Sequence, residues 1–137
     1  GRPEDLPTVV YLPLSVDDDG AVARRRLKPT VAFYIRRWAN IPTLSRLFTE
    51  WGPLTESEVR EIAVRIERGE APEQVIDDRL VDTYCIAGTT EDCLTRLSSY
   101  AAAGVTIAAF DHGRGGPNAD EVLESIRRLC MAVDSTS

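Results

Sequence analysis

Two short apolar segments, separated by a long amphipathic stretch, dominate the hydrophobic pattern of the chain. The first runs from Thr8 to Val16 and is rich in β-branched and aromatic residues. Its near-continuous hydrophobicity is typical of a strand that is covered on both faces, as in parallel sheets. The second, from Val105 to Phe110, has the same character. We therefore predict two parallel strands, adjacent in one sheet, although Pro13 cannot donate to a sheet ladder.

Helix signals fill the stretch between these strands and the chain beyond them. The carboxylates of residues 17–19 favour a helix start, and Pro29 predicts that the first helix is divided into two pieces. Further helices are predicted at 43–51, 56–69, 72–80, 89–104 and from 118 onward. The alternation of strands and helices predicts the α/β class.

Three of the predicted helices begin with a capping residue that is followed three positions later by an acidic one. The pairs are Thr55 and Glu58, Thr89 and Asp92, and Asn118 and Glu121. In this spacing the first side chain accepts from a free amide of the first turn, and the acidic side chain reaches back. We therefore interpret Thr89 as a helix cap and not as a catalytic hydroxyl. Gly104 stands where a left-handed C-terminal cap belongs.

Charge and cysteine content narrow the possible functions. Sixteen Lys and Arg residues against 22 Asp and Glu give a formal net charge of −6, which repels nucleic acid at long range. No apolar run approaches the roughly 18 residues of a membrane span. The three cysteines, Cys85, Cys93 and Cys130, match no metal or disulfide spacing. We expect no nucleic-acid partner, no membrane segment, no metal site and a reducing, cytoplasmic setting.

A more specific signal lies in IAGTTEDC (86–93), which is followed by LTRLSSYAAAGV (94–105) and the second apolar strand. This order resembles the near-terminal signature of the luciferase-like oxidoreductases. In that family a small-Gly-Thr-x-Glu element opens a helix that ends in Tyr-x-x-x-Gly-Val before the last barrel strand. GRPEDLP (1–7) and its strand are similar to the family's entry into strand seven, and LKPTVAFYI (27–35) resembles the next helix. Thr90 stands where the family often has proline.

The resemblance implies that residues 1–137 form a single partial domain. This domain would be the C-terminal part of a (β/α)8 TIM barrel, about two βα units with extra helices, whereas a full barrel needs about 250 residues. The resemblance also implies an oxidoreductase or monooxygenase that acts on a small molecule with FMN or coenzyme F420. Because much of the family's cofactor framework lies in earlier strands, we expect activity only with the remaining barrel segments or a second copy of the chain. The alternative is a non-catalytic binding or dimerisation module.

The loop after the second strand offers candidate site residues, because barrel enzymes build their reactive face from such loops. His112, the one histidine, is suited to exchange a proton near neutral pH, so we take it as the candidate catalytic residue. A surface histidine without a role is the alternative. Arg114 and Gly115 precede a helix start and are candidates for holding a cofactor phosphate or carboxylate through the guanidinium and backbone amides. A simple chain reversal is the alternative there.

A second candidate region combines aromatic and cationic side chains near the end of the first helix. Tyr34, Arg36 and Trp38 are suited to line a substrate pocket or to stack on a ring. Subunit or core packing is the alternative interpretation of these three residues. The arginines at 24–26 and 36–37 are suited either to a local anionic ligand or to a solvated helix face.

Overall fold

The computed structural model describes residues 7–111 and 116–136, which form three strands and seven helices. No helix within these two stretches is long and apolar enough to cross a membrane. In chain order the elements are β1 (Val9–Val16), α1 (Gly20–Trp38), α2 (Pro42–Thr49), α3 (Glu56–Glu67), α4 (Pro72–Val75), α5 (Asp78–Tyr84), β2 (Ile86–Gly88), α6 (Thr90–Ala102), β3 (Ile107–Asp111) and α7 (Ala119–Thr136).

The strands form one parallel sheet in the order β2-β1-β3, with β1 in the centre. The two predicted strands are therefore parallel neighbours, as expected, and each begins one or two residues later than predicted. Pro13 is compatible with a central strand because β1 pairs with β3 before this residue and with β2 after it. The ladder with β3 ends at the pair Pro13 and Asp111, and the ladder with β2 begins at Leu14 and Ile86. The missing N–H of proline thus falls between two ladders.

Helices cover both faces of this sheet. Leu12, Leu14 and Val16 of β1 form a buried cluster with Cys93 of α6 and Leu129 of α7. Side chains alternate between the faces of a strand, so the intervening residues of β1 point the other way. On that second face, α1 packs along β1 and β2. Its buried side chains form a larger apolar cluster with those of α2, α3, α4 and α5.

The α/β class predicted from the sequence is confirmed, with a small parallel sheet in a largely helical protein. A non-sequential strand order and helices on both faces are features of an open doubly wound sheet. In a barrel, consecutive strands are neighbours and the helices form an outer ring. The three strands described do not close into a barrel by themselves. The sheet reproduces one part of the barrel prediction, the parallel pairing of β1 and β3.

Two predicted helix boundaries were wrong. Pro29 does not divide the first helix, since α1 continues through it for 19 residues. A proline inside a helix costs roughly 3 kcal/mol, but the buried side chains on both sides of it, Leu27 and Val31, anchor the two halves in one cluster. The segment predicted as one helix at 72–80 is instead α4 and α5. The break occurs because Ile76 is extended and the Asp77 side chain accepts from the Leu80 amide at 3.0 Å.

All three predicted capping pairs are confirmed. In each pair the acidic side chain accepts a hydrogen bond from the backbone amide of the capping residue. The cap side chain accepts at 3.1 Å for Thr55, 3.2 Å for Thr89 and 2.9 Å for Asn118. Gly104 follows α6 with φ +102°, the left-handed conformation predicted for a helix end. These local signals therefore fix where three of the helices begin.

Candidate functional site: an aromatic cleft beside the sheet

A cleft of about 400 Å³ opens where the uncovered start of β1 meets α1, α2 and α5. None of the described residues that line it is charged. They include both tryptophans of the chain, three of its four tyrosines and one of its three phenylalanines. The lining residues are Tyr11, Pro13, Val31, Tyr34, Trp38, Leu47, Phe48, Trp51, Thr83 and Tyr84.

The wall of this cleft is a series of aromatic rings. Tyr34 and Trp38 lie one helical turn apart on the same face of α1, and their rings stack with centroids 4.8 Å apart and planes at 22°. Trp38 continues the series onto Phe48 of α2 at 6.3 Å and 26°. Phe48 meets Tyr84 of α5 edge to face at 5.5 Å. Three helices thus present their rings to one space.

Tyr84 ties α5 to the end of α2. Its hydroxyl donates to the carbonyl of Leu47 at 3.1 Å, and burial raises the pKa of Tyr84 to about 12, so the phenol is neutral. Gly52 lies against this contact. A Cβ at Gly52 would collide with the Tyr84 hydroxyl and approach the Phe48 carbonyl to 2.6 Å. The absence of a side chain at Gly52 therefore allows the chain after α2 to close over Tyr84.

The rim of the cleft is open to solvent. Tyr11 is 76% exposed and Trp51 is 65% exposed. The guanidinium of Arg46 lies 5.3 Å from the centre of a Trp51 ring and forms an ion pair with Glu50 at 2.6 Å. The nearest cation at this rim is therefore already neutralised by a carboxylate.

The structure brings two of the predicted pocket residues together and places the third elsewhere. Tyr34 and Trp38 line the cleft, whereas Arg36 lies in a separate recess beside Arg60 and forms an ion pair with Glu67 at 3.6 Å. Residues two positions apart on a helix do not share a face, which explains the separation. His112, Arg114 and Gly115 lie outside the described residues.

Several cleft residues were not anticipated from the sequence. Phe48 and Trp51 belong to α2 and the turn after it, and Tyr84 ends α5. The available signal was the clustering of aromatic residues near predicted helix ends. It does not reveal that α2 and α5 meet, because that contact depends on packing between distant parts of the chain.

A second, polar crevice of about 290 Å³ lies at the carboxyl end of β1, close to the start of α7. Arg26 binds Asp17 at 2.7 Å and Glu121 at 3.6 Å, and Arg128 binds Asp18 at 3.1 Å. The backbone amide of Asp19 and the Arg26 guanidinium hold the pKa of Asp17 below its usual range. Both arginines lining this crevice are thus engaged with carboxylates.

Neither of these two cavities fits a whole phosphate-bearing cofactor. The aromatic cleft suits a flat ring, but it has no charged lining residue for a phosphate. The polar crevice has arginines, but each is paired and carboxylates surround it. Within the described part of the chain there is also no group of three potential metal ligands. The described residues therefore do not fit a complete FMN or coenzyme F420, and we derive no step through either.

The fold and the cleft define an α/β protein with an uncharged aromatic cavity beside a parallel sheet. No family model matches the chain. A 5,10-methylenetetrahydromethanopterin reductase of Methanolobus tindarius is 23% identical over 124 residues. The match covers 90% of this chain but 37% of the reductase, so the chain spans little more than a third of that relative's length.

Proposed function

We propose that the chain is the C-terminal portion of a luciferase-like oxidoreductase that transfers a hydride to or from a small molecule. The observation that carries this proposal is the similarity to a reductase along 90% of the chain. The IAGTTEDC segment supports it, because it resembles the family's near-terminal signature and opens α6 with a capping box. The parallel neighbours β1 and β3 then correspond to the last two strands of a TIM barrel.

In this proposal the cofactor is FMN or coenzyme F420, which would supply or accept the hydride. The described residues cannot hold its phosphate, so most of the cofactor site belongs to the remaining barrel segments. Arg114 and Gly115 are proposed to contribute a phosphate contact, and His112 is proposed to exchange a proton with the substrate. Tyr34 and Trp38, predicted to line the substrate pocket, lie in the cleft at the amino-terminal side of β1, away from the loops after the strands, so we propose no contact between them and the reacting centre. We also propose a cytoplasmic setting, which the three free cysteines support.

A chimera tests the proposal. This chain replaces the matching 37% of the Methanolobus tindarius reductase, and binding and turnover are measured with FMN and with coenzyme F420. We expect the chimera to bind one of the two cofactors and to transfer a hydride. Replacing Arg114 with Ala in the active chimera should weaken cofactor binding about tenfold or more, since a charge-assisted contact contributes roughly 1.5–3 kcal/mol.

The 137-residue chain alone is the control, and it should bind either cofactor weakly or not at all. Tight, stoichiometric binding by the monomeric chain would show that it holds a complete site and is not a barrel portion. A folded chimera that binds neither cofactor would contradict the oxidoreductase proposal itself.

A non-catalytic assembly module is the second candidate, and one observation favours it. An apolar groove of about 290 Å³ lies between α6, the edge strand β3 and α7. Its lining includes Leu94, Leu97, Phe110, Ile126 and Val133. Such a surface suits association with a second copy of the chain. An inactive chimera together with a chain that dimerises through this groove would favour this second function.

A further inference from the structure

We infer that a recess between the end of α1 and α3 docks an acidic amphipathic helix of a partner protein. The recess has a volume of about 450 Å³ and is lined by the last turn of α1, the two residues after it and one face of α3. The last turns of α1 also lie beside Tyr11, near the start of β1. The recess is therefore remote from the loops after the strands, and the inference does not depend on the proposed function.

The recess is positively charged in an acidic chain. Its lining contains Arg36, Arg60 and Arg68 against one carboxylate, Glu67, whereas the whole chain has a formal net charge of −6. Glu67 forms an ion pair with Arg36 at 3.6 Å. Within residues 7–111 and 116–136, neither Arg60 nor Arg68 has a carboxylate partner. Their guanidinium groups are therefore available for charge-assisted hydrogen bonds to a ligand.

Two nearby carboxylates leave these arginines unneutralised. Glu70 is bound by Arg65 at 3.0 Å, and this hydrogen bond is the main cause that holds the pKa of Glu70 below its usual range. Arg68 contributes to that lowered pKa only through its charge. Glu56 lies one helical turn before Arg60, a spacing that favours ion pairs, yet the two form none in the described chain.

The spacing of the lining residues indicates the shape of the partner. Arg60, Val64 and Arg68 are four residues apart, so they lie on successive turns of one helix face. Eight residues of helix separate the two arginines by about 12 Å along the axis. Val64 between them is 45% exposed and shares the apolar floor of the recess with Ala39 and Ala63. This order fits two carboxylates about two helical turns apart with an apolar residue between them.

An elongated partner fits this recess better than a small anion. A phosphate or sulfate ion does not span positions about 12 Å apart, and it would leave Val64 uncovered. An amphipathic helix meets both requirements, because acidic side chains seven or eight positions apart share a face with the apolar residue between them. Arginine is also enriched in protein interfaces.

A synthetic helix tests the inference on the full chain. The probe is a peptide of about 15 residues, built on alanine and glutamine, with two glutamates eight positions apart and a leucine midway between them. Control peptides replace both glutamates with glutamine, both glutamates with lysine, or the leucine with alanine. Anisotropy of an uncharged fluorophore on each peptide measures binding.

We expect saturable binding of the acidic peptide that weakens as salt is added, because the contacts are exposed ion pairs. The glutamine and lysine controls should bind about tenfold more weakly or not at all, since they lack both carboxylates. The alanine control should bind severalfold more weakly, because it leaves Val64 uncovered.

Variants of the chain locate the binding. Arg60→Gln and Arg68→Gln should each weaken it about threefold, since exposed ion pairs contribute modestly. Arg25→Gln is the matched control, because this exposed arginine of α1 lies outside the recess, and it should leave affinity unchanged. A chain with both Arg60→Glu and Arg68→Glu should lose the acidic peptide and bind the lysine peptide instead. This exchange of specificity also shows that the doubly substituted chain is folded.

The inference is overturned if the folded chain does not bind the acidic peptide, or binds the glutamine control as tightly. It is also overturned if Arg60→Gln and Arg68→Gln together lower affinity no more than Arg25→Gln does. Displacement of the peptide by inorganic phosphate, beyond the effect of chloride at equal ionic strength, would assign the recess to a small anion instead. If the double glutamate variant does not fold, the glutamine variants decide the outcome.

Discussion

The three cysteines differ in their surroundings, although none was distinguishable from the others by sequence spacing. Cys85 is 1% exposed and Cys93 is 0% exposed, whereas Cys130 is exposed on α7. Burial raises the pKa of Cys85 to about 12 and that of Cys93 to about 12. Because the thiolate is the reactive form, both buried thiols should be inert in the folded chain.

Alkylation with iodoacetamide at pH 8 tests this contrast. Cys130 should be modified in the native protein, while Cys85 and Cys93 should react only after unfolding, because a thiol with a raised pKa is protonated at that pH. Peptide mapping by mass spectrometry identifies the modified residue. Native labelling of Cys93 at a rate similar to that of Cys130 would mean that α6 does not cover the sheet as described.

Single residues also show what the sequence could reveal about the site. Tyr34 and Trp38 lie together on one face of α1, because residues four apart in a helix are about one turn apart. Arg36 was grouped with them by proximity in the sequence, and helix geometry instead directs it to Glu67. A role of these residues in substrate binding stays a prediction from the sequence alone.

At the scale of whole elements, the capping boxes carry the most testable information. Thr89 accepts from the Asp92 amide and Asp92 accepts from the Thr89 amide, so α6 begins with two free donors satisfied. Thr89→Ala should lower the free energy of unfolding by about 0.5–2 kcal/mol. Similar losses are expected for Thr55→Ala and Asn118→Ala. Urea denaturation measures each change.

Thr95→Ala is the matched control for Thr89→Ala. Thr95 is exposed within the same helix, and alanine has the higher helix propensity, so this substitution should leave stability unchanged or raise it slightly. Equal losses at Thr89 and Thr95 would show that the cap does not act as described. A Thr89→Ala chain with unchanged stability, whose chimera lost activity, would instead assign the hydroxyl a chemical role.

Elements were predicted well where their signals are local. Caps, the left-handed Gly104 and the two longer strands depend on a few neighbouring residues, and all were confirmed. The strand β2 was not predicted, because three residues before a helix start carry too little pattern to be recognised. The uninterrupted α1 was also not predicted, since packing on both sides of Pro29 outweighs the local preference for a break.

At the scale of the whole molecule, the sequence predicted the class and the parallel pairing but not the cleft. Hydrophobic runs predicted the two strands, and the βα order together with the resemblance to the end of a barrel predicted that they are parallel neighbours. The cleft depends on Phe48 meeting Tyr84 and Trp38, which lie far apart in the chain. No periodicity encodes such a meeting, and it emerges from how five helices share one apolar cluster.

The groove between α6, β3 and α7 leads to a prediction about assembly. Its apolar lining lies beside an edge strand, and both features favour association with another polypeptide. We therefore expect the isolated chain to self-associate as its concentration rises, with sedimentation velocity as the measurement. Val133→Glu should shift the chain toward the monomer, because it places a charge at the half-exposed margin of the groove. Leu123→Glu is the control, since this exposed residue of α7 does not line the groove and its change should preserve association. A parent chain that stays monomeric at every concentration, or two glutamate variants that behave alike, would contradict a role of this groove in self-association.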